Sequence, residues 1–439
     1  MLTILGGGPA GLAVGYYARK RALPFRILEA GDEVGGNCRT IERGPFRFDT
    51  GAHRFHDKDP ESTAEVRALL GDDLLAFDAP SQILYQGTFV DFPLSPMTVM
   101  QALGPWNSLV ASIEFVLARL QRTGPFPSFE EMAFHQYGRT IATDFLLGYS
   151  RKLWGVSTRK LVSEVGGGRL TGLELWTLLG RALPGMAREA NHQDGVFYYP
   201  RRGIGVIPRR LAEACGAERI TTRSRITRVI HRDDRIAEIE VNDRERHSVD
   251  RVVSTLPLGA LIQLLEPKAP EPILERARSL RFRHLVLVVL FLNRESVTRN
   301  ASLYFPDPGT PFTRVYEPKN RSAWMSPEHQ TSLCIEIPCD MEDPLWAADG
   351  EALAALALGH LERYGLVRHE EVLESSVHRM RFAYPVIEMD SAAAAAELLE
   401  YLVRFANLRS VGRNGTFTYS SLHDMLRTGR KLVEQLQKE

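Results

Sequence analysis

Three glycines and one acid near the start of the chain carry the first chemical signal. Gly6, Gly8 and Gly11 stand in a G-x-G-x-x-G loop directly after the apolar run Leu2–Leu5, ahead of a helical stretch reaching Lys20. Gly6 permits a tight turn, Gly8 lets backbone approach a pyrophosphate, and Gly11 allows close packing of helix on sheet. The helix start would point unpaired N–H groups at the phosphates. Glu29 closes a second short strand, Arg26–Glu29, 18 residues after Gly11. An acid at that place accepts hydrogen bonds from ribose hydroxyls. Strand, glycine turn, helix and acid-ended strand together predict a dinucleotide site.

A second glycine pair narrows the dinucleotide. Glu29 is followed by Ala30-Gly31-Asp32-Glu33-Val34-Gly35-Gly36-Asn37-Cys38-Arg39-Thr40. This resembles the E-A-x-x-x-x-G-G-x-x-R-T signature of the flavoprotein superfamily that includes amine oxidases, protoporphyrinogen oxidase and UDP-galactopyranose mutase. The resemblance implies non-covalent FAD, with Gly36, Arg39 and Thr40 among its contacts. Arg39 would bring a permanent cation to a phosphate or a flavin carbonyl. Phe48-Asp49-Thr50-Gly51-Ala52-His53-Arg54-Phe55 is similar to the D-x-G-G-H segment of the mutases and to a bacterial group reading G-G-H-R-F-F. It implies that His53 sits beside the flavin ring, where its charge can follow the ring's.

Further motifs extend the resemblance along the chain. Tyr199-Pro200-Arg201-Arg202-Gly203-Ile204-Gly205 resembles a Y-P-x-x-G-x-G turn, and Val229 falls on the strand whose backbone contacts adenine in the superfamily. Val411-Gly412-Arg413-Asn414-Gly415-Thr416-Phe417-Thr418-Tyr419 resembles G-R-x-G-x-x-x-Y, which implies that Gly412 and Arg413 lie near the ribityl chain and phosphates. A helix start beyond it, including Met425, would face the flavin, where a helix N-terminus favours negative charge. Relatives continue N-N-x-D-H-S-M; this chain reads Ser420-Ser421-Leu422-His423-Asp424-Met425, with the acid and histidine exchanged. The stretch holds no cysteine for a thioether link to flavin.

On the substrate side the resemblance implies Arg314, in Phe312-Thr313-Arg314, and Tyr384, in Ala383-Tyr384-Pro385, as substrate-facing, with His53 as the third catalytic candidate. A guanidinium fork and a phenol suit a diphosphate or carboxylate. Tyr149-Ser-Arg-Lys-Leu-Trp154-Gly155 and Arg169 match a Y-x-x-K-x-W-G and later arginine of the G-G-H-R-F-F group. The run Leu280–Leu285 lacks the lysine that many amine oxidases place at flavin N5, which argues against a literal amine oxidase.

These residues need elements to hold them. The expected fold is α/β, a Rossmann-type FAD-binding domain with a discontinuous second α+β substrate domain. Residues 1–60, 190–265 and 395–439 would form the first, and 61–189 and 266–394 the second, with a helical insert. Apolar spacing reads as mostly helical from Pro60 to about Gly185 and as strand-rich from Ile220 to Leu256. Strands are expected over Leu280–Leu292, Thr331–Ile337, Val377–Ala383 and Arg409–Gly412. Helices are expected over Gly350–Tyr364, Ala392–Phe405 and from Leu422 onward. The amphipathic run Leu109–Leu120 is expected to cover a core.

The 439 residues suit two large domains. Lys plus Arg (54) equals Asp plus Glu (54), so no net field favours nucleic acid or an anionic membrane. Cys38, Cys215, Cys334 and Cys339 match no metal or disulfide spacing, and no metal ligand set is expected. With the first strand almost at Met1 and no apolar run of membrane-spanning length, a cytoplasmic protein is expected. The leading function is an FAD-dependent oxidoreductase moving a hydride from a small molecule to flavin N5. The alternatives are an isomerase like UDP-galactopyranose mutase, acting on a nucleotide sugar through reduced flavin, and a non-catalytic flavin-binding protein. The partner is a small molecule, anionic or a nucleotide sugar.

Overall fold

A computed structural model describes residues 1–92, 94, 96–120, 125–165 and 197–439. Five short parallel strands form the sheet on which the first site is built, in the order Ile220–Thr221, Phe25–Leu28, Leu2–Leu5, Arg251–Ser254 and Leu408–Ser410. Its strands come from the beginning, middle and end of the chain. Leu2–Leu5 is buried throughout and pairs in register with Phe25–Leu28 on one side and Arg251–Ser254 on the other. A near-continuous apolar strand is what a parallel sheet covered on both faces requires.

Two helices crossing on one face fix the sheet's carboxyl end. Helix Pro9–Lys20 starts with proline in its first turn, where a missing N–H costs nothing, and no side chain caps it. Helix Leu422–Lys438 packs across it so closely that a Cβ on Gly429 would lie 2.9 Å from the Ala13 Cβ. Leu12, Val14, Leu426 and Val433 join the core between helices and sheet. A four-stranded sheet, Glu245–Ser248, Arg235–Val241, Ile226–Arg232 and Leu265–Glu266, packs on the other side.

The second large sheet has seven strands: Val372–Pro385, Phe282–Leu292, Thr331–Cys339, Arg314–Tyr316, Ser302–Tyr304, Ser81–Tyr85 and Thr88–Phe92. Its second strand, Phe282–Leu292, is buried over ten of its eleven residues and pairs antiparallel with both neighbours. The strands expected over Leu280–Leu292, Thr331–Ile337 and Val377–Ala383 are adjacent members of this sheet.

One expectation is refined and one corrected. The mostly helical stretch after Pro60 also holds strands: helix Pro60–Leu70 is followed by Leu74–Phe77, Ser81–Tyr85 and Thr88–Phe92. Gln86 and Gly87 both take positive φ (46° and 81°), which gives the last two strands a tight hairpin turn. Helix Pro96–Leu120, kinked at Gly104, turns Ala111, Phe115 and Ala118 inward while Leu109, Ile113, Val116, Leu117 and Leu120 are exposed. The larger apolar stripe of Leu109–Leu120 therefore faces outward; helical spacing identifies a face but not its partner. Among the described residues no helix is long and apolar enough to cross a membrane. Arg169 lies outside the described residues.

Candidate functional site

A cavity of about 420 Å³ opens at the carboxyl end of the parallel sheet. That is where an open α/β sheet binds ligands, because the loops leaving the strands diverge there. Gly6, Gly8, Glu29, Gly36, His53, Gly412, Arg413 and Met425, all singled out from the sequence, line it.

The glycines act in two different ways. Gly6 has φ +104°, and a Cβ there would meet the Thr255 hydroxyl at 2.2 Å, so only glycine fits the turn. Gly8 has ordinary extended backbone (φ −73°, ψ 177°), and its nearest obstacle to a Cβ is the Gly36 Cα at 4.0 Å. Gly36 in turn takes φ +53° and faces Gly8, its own Cβ position lying 3.4 Å from the Gly8 Cα. Two bare backbones so placed, beside an uncapped helix start, make a cradle shaped for an anion such as a pyrophosphate. At one side Glu29 receives the backbone N–H groups of Gly7 (2.6 Å) and Gly31 (2.8 Å), which fix the carboxylate at the cavity wall. Gly412 (φ +84°) brings the last strand's exit against Ala10 at the helix start.

Four expected contacts do not line this cavity. Gly11 lies behind the loop, where a Cβ would sit 2.0 Å from the Gly6 carbonyl oxygen; its glycine serves packing. Thr40 donates its hydroxyl to Asp49 (2.7 Å) and accepts the Gly205 N–H (2.9 Å), tying the Tyr199–Gly205 turn to the antiparallel strands Thr40–Arg43 and Phe46–Asp49. Val229 is fully buried, with its N–H given to the Leu264 carbonyl. The Arg39 backbone bonds to Thr50, while its Nε is buried without a hydrogen-bond partner among the described residues.

A second group of side chains adjoins the cavity at His53. The His53 Nε2 lies 2.9 Å from the Asn37 carbonyl, which can only accept, so Nε2 carries the proton. Burial, then the positive field of Arg413, pushes His53 down to about 3, so it is a neutral imidazole at ordinary pH. Glu336, from strand Thr331–Cys339 of the large sheet, accepts the Ala52 N–H (2.9 Å) with one oxygen. With the other it takes Arg314 through Nε (2.8 Å) and Nη2 (2.5 Å). Both partners are buried. Burial opposes the Arg314 charge, yet Glu336 holds the guanidinium protonated.

Tyr384 completes this side. It forms an aromatic group with Trp154 (ring centroids 6.1 Å) and Tyr419 (6.3 Å), and the Arg413 guanidinium lies over both tyrosines at 5.8 and 5.2 Å. Burial raises the Tyr384 phenol to about 12, keeping it a hydrogen-bond donor. Arg413 thus joins the cavity to the aromatic group. Lys152, in the Tyr149–Gly155 motif, donates to the carbonyls of Phe305 (2.6 Å), Asp307 (2.8 Å) and Phe312 (2.8 Å), shaping the loop that leads into Arg314.

Sequence reasoning missed Ser224 and Ile226, which flank the Glu29 end. Thr255, Leu256 and Pro257 form the exit after Arg251–Ser254. Asn37, Cys38 and the segment Arg381–Ala383 close the other side. Burial pushes the Cys38 thiol up to about 12, so it is not a nucleophile at neutral pH. Glu336 carried an available signal, a single acid in the apolar run Leu333-Cys-Ile-Glu-Ile-Pro338.

Comparison with known proteins agrees with this geometry. The family model for flavin containing amine oxidoreductases matches residues 9–387. Chloroplastic protoporphyrinogen oxidase of Nicotiana tabacum is 25% identical over 176 residues, 39% of this chain and 32% of that protein. The match therefore spans about a third of the curated relative's length. Among solved structures, reduced UDP-galactopyranose mutase superposes with TM-score 0.82 at 19% identity, covering 100% of this chain and 95% of the other. A protoporphyrinogen oxidase-like protein of Exiguobacterium sp. 255-15 gives 0.76 at 18% identity, covering 99% and 98%. At such identities the likeness shows a shared fold, and a fold hosts more than one reaction.

Proposed function

The chain belongs to the flavin containing amine oxidoreductase family, and from that premise we propose that it binds FAD non-covalently in the cavity and oxidises a small molecule. The carrying observation is the facing pair Gly8 and Gly36 beside the uncapped helix start, with Glu29 at one side and Arg413 at the other. Residues 1–60, 190–265 and 395–439 form the cofactor unit in this account, and 61–189 and 266–394 the substrate unit. Glycine backbone and helix start hold the pyrophosphate, Glu29 accepts from the ribose, and Gly412, Arg413 and Met425 border the flavin end.

The flavin, when bound, supplies a hydride acceptor and returns the electrons to a second substrate. The polypeptide supplies position and field. Neutral His53 donates from Nε2 to the Asn37 carbonyl and fixes the loop beside Gly36. The Tyr384 hydroxyl offers a donor, and Trp154 packs edge-on against both Tyr384 and Tyr419.

The Arg314–Glu336 pair favours oxidation over the isomerase alternative. A guanidinium already neutralised by a buried carboxylate offers little net charge to a diphosphate. An uncharged or weakly polar substrate fits such a site better than a nucleotide sugar. Anaerobic mixing with candidate substrates tests this: bleaching of the flavin by a C–H donor, without interconversion of UDP-sugar ring forms, is the expected result. Ring-form interconversion by the reduced protein, with no net electron transfer, would overturn it.

A further inference from the structure

One segment of the large sheet enters the cofactor cavity, and nothing above assigns it a role. In the pairing of Val372–Pro385 with Phe282–Leu292, Arg283 faces Tyr384 and Leu285 faces Met380. Three residues, Arg381, Phe382 and Ala383, therefore stand opposite His284 alone. The bulge is held in a conformation that non-glycine residues rarely adopt, with Phe382 at φ +55°. Bulges of this kind re-aim side chains away from a sheet.

Contacts from the cofactor side pin the bulge. Asn37 donates Nδ2 to the carbonyls of Arg381 and Phe382, both at 3.2 Å. Asn414 donates to the Phe382 carbonyl at 3.3 Å, and Arg413 to the Ala383 carbonyl at 3.4 Å. From within its own sheet, His284 Nδ1 accepts the Phe382 N–H at 3.2 Å. Asn37 follows Gly36 directly, so the backbone of Arg381 starts beside the glycine cradle.

Charge gives the bulge its purpose. Two arginines line the cavity, Arg381 and Arg413. Arg413 is engaged by the Ser420 carbonyl through Nε (2.9 Å) and Nη2 (2.6 Å) and lies over two tyrosines. The Arg381 guanidinium is exposed and has no partner among the described residues. A pyrophosphate carries two negative charges, and the other charged lining group, Glu29, is an acid.

We propose that Arg381–Ala383 is a clasp contributed by the second sheet, in which Arg381 pairs with the pyrophosphate of the bound dinucleotide across from Gly8 and Gly36. This rests on the FAD assignment above. The clasp would make cofactor retention depend on the large sheet as well as the Rossmann sheet.

The test is a titration of flavin-stripped protein with FAD, followed by quenching of flavin fluorescence, at low and high salt. Three proteins are compared: wild type, Arg381→Met, which keeps the apolar stem, and Arg381→Lys. Loss of a charge-assisted contact is expected to weaken binding by Arg381→Met on the order of 10- to 100-fold. Its salt dependence should flatten, because one screened attraction is gone, and Arg381→Lys should recover part of the affinity. Since the guanidinium has no hydrogen-bond or ion-pair partner among the described residues, the stripped variants should melt with the wild type. Arg381→Met binding FAD within about 2-fold of wild type, with an unchanged salt response, overturns the clasp and leaves the cofactor assignment standing. A stripped wild type that takes up no FAD overturns both.

Discussion

Exchanging Gly8 and Gly11 separately for alanine distinguishes a glycine kept for a ligand from one kept for the fold. Gly8 has φ −73° and ψ 177°, which alanine adopts freely, and a Cβ there meets nothing closer than 4.0 Å. Gly8→Ala should leave flavin-stripped stability within about 0.5 kcal/mol of wild type. Its methyl group, however, projects toward Gly36, into the space assigned to the pyrophosphate. Displacing one backbone N–H from a phosphate forfeits roughly 1.5–3 kcal/mol, or about 10- to 150-fold in FAD affinity. At Gly11 the added Cβ would lie 2.0 Å from the Gly6 carbonyl oxygen, a contact that forces backbone to move. Overpacking of that kind costs about 1–3 kcal/mol or more, before any ligand is added. Calorimetry of the stripped proteins and FAD titration separate the two effects: Gly8→Ala should melt normally and bind weakly, whereas Gly11→Ala should melt early. Wild-type FAD affinity in Gly8→Ala would refute the placement of the pyrophosphate.

Three further predictions concern the second half of the site. Glu336→Gln leaves the buried Arg314 without a counter-charge and should cost about 3–5 kcal/mol in denaturant unfolding, most of it recovered when Arg314→Met and Glu336→Met are combined; a cost below about 1 kcal/mol would show that the pair does not join the sheet to the His53 loop. His53 is lowered from 6.5 to about 3 in the folded state, so the unfolded chain binds the extra proton between those values. The stability this contributes is complete above about pH 6.5 and is lost as pH falls toward 3, a few kcal/mol in all, on the order of 3–5. His53→Gln should flatten that part of the pH–stability curve, and an unchanged slope would count against a buried neutral imidazole. Lys152→Met removes the donor shared by three carbonyls and should destabilise by about 1–3 kcal/mol while raising KM more than it lowers kcat, as the loop before Arg314 loosens; steady-state kinetics and melting curves together check it.

The cofactor half was readable because its requirements are local. Gly6 needs a positive φ, Gly36 faces Gly8, and Glu29 ends a strand at a fixed distance along the chain; each demand leaves a mark on residue type and spacing. The substrate half depends on pairing between distant segments, which leaves weaker marks. Arg381 looks like any exposed arginine on a strand until the offset opposite His284 turns it into the cavity. Arg314 was expected to face an anionic substrate, and the structure instead pairs it with Glu336, one acid in an apolar strand. Thr40 sits within the flavoprotein signature, yet its hydroxyl is committed to Asp49 and Gly205. The outward face of helix Pro96–Leu120 shows the same limit: its periodicity is plain, but only the packing tells which side meets protein.

The most direct check on the account is an absorption spectrum of the purified protein, taken before and after denaturation and passage through a size-exclusion filter. A visible flavin band that moves into the filtrate as FAD is the predicted result, because the account places the cofactor among backbone N–H groups and charged side chains with no covalent link. A colourless protein that takes up no FAD on reconstitution, or a flavin that stays with the denatured chain, would contradict it.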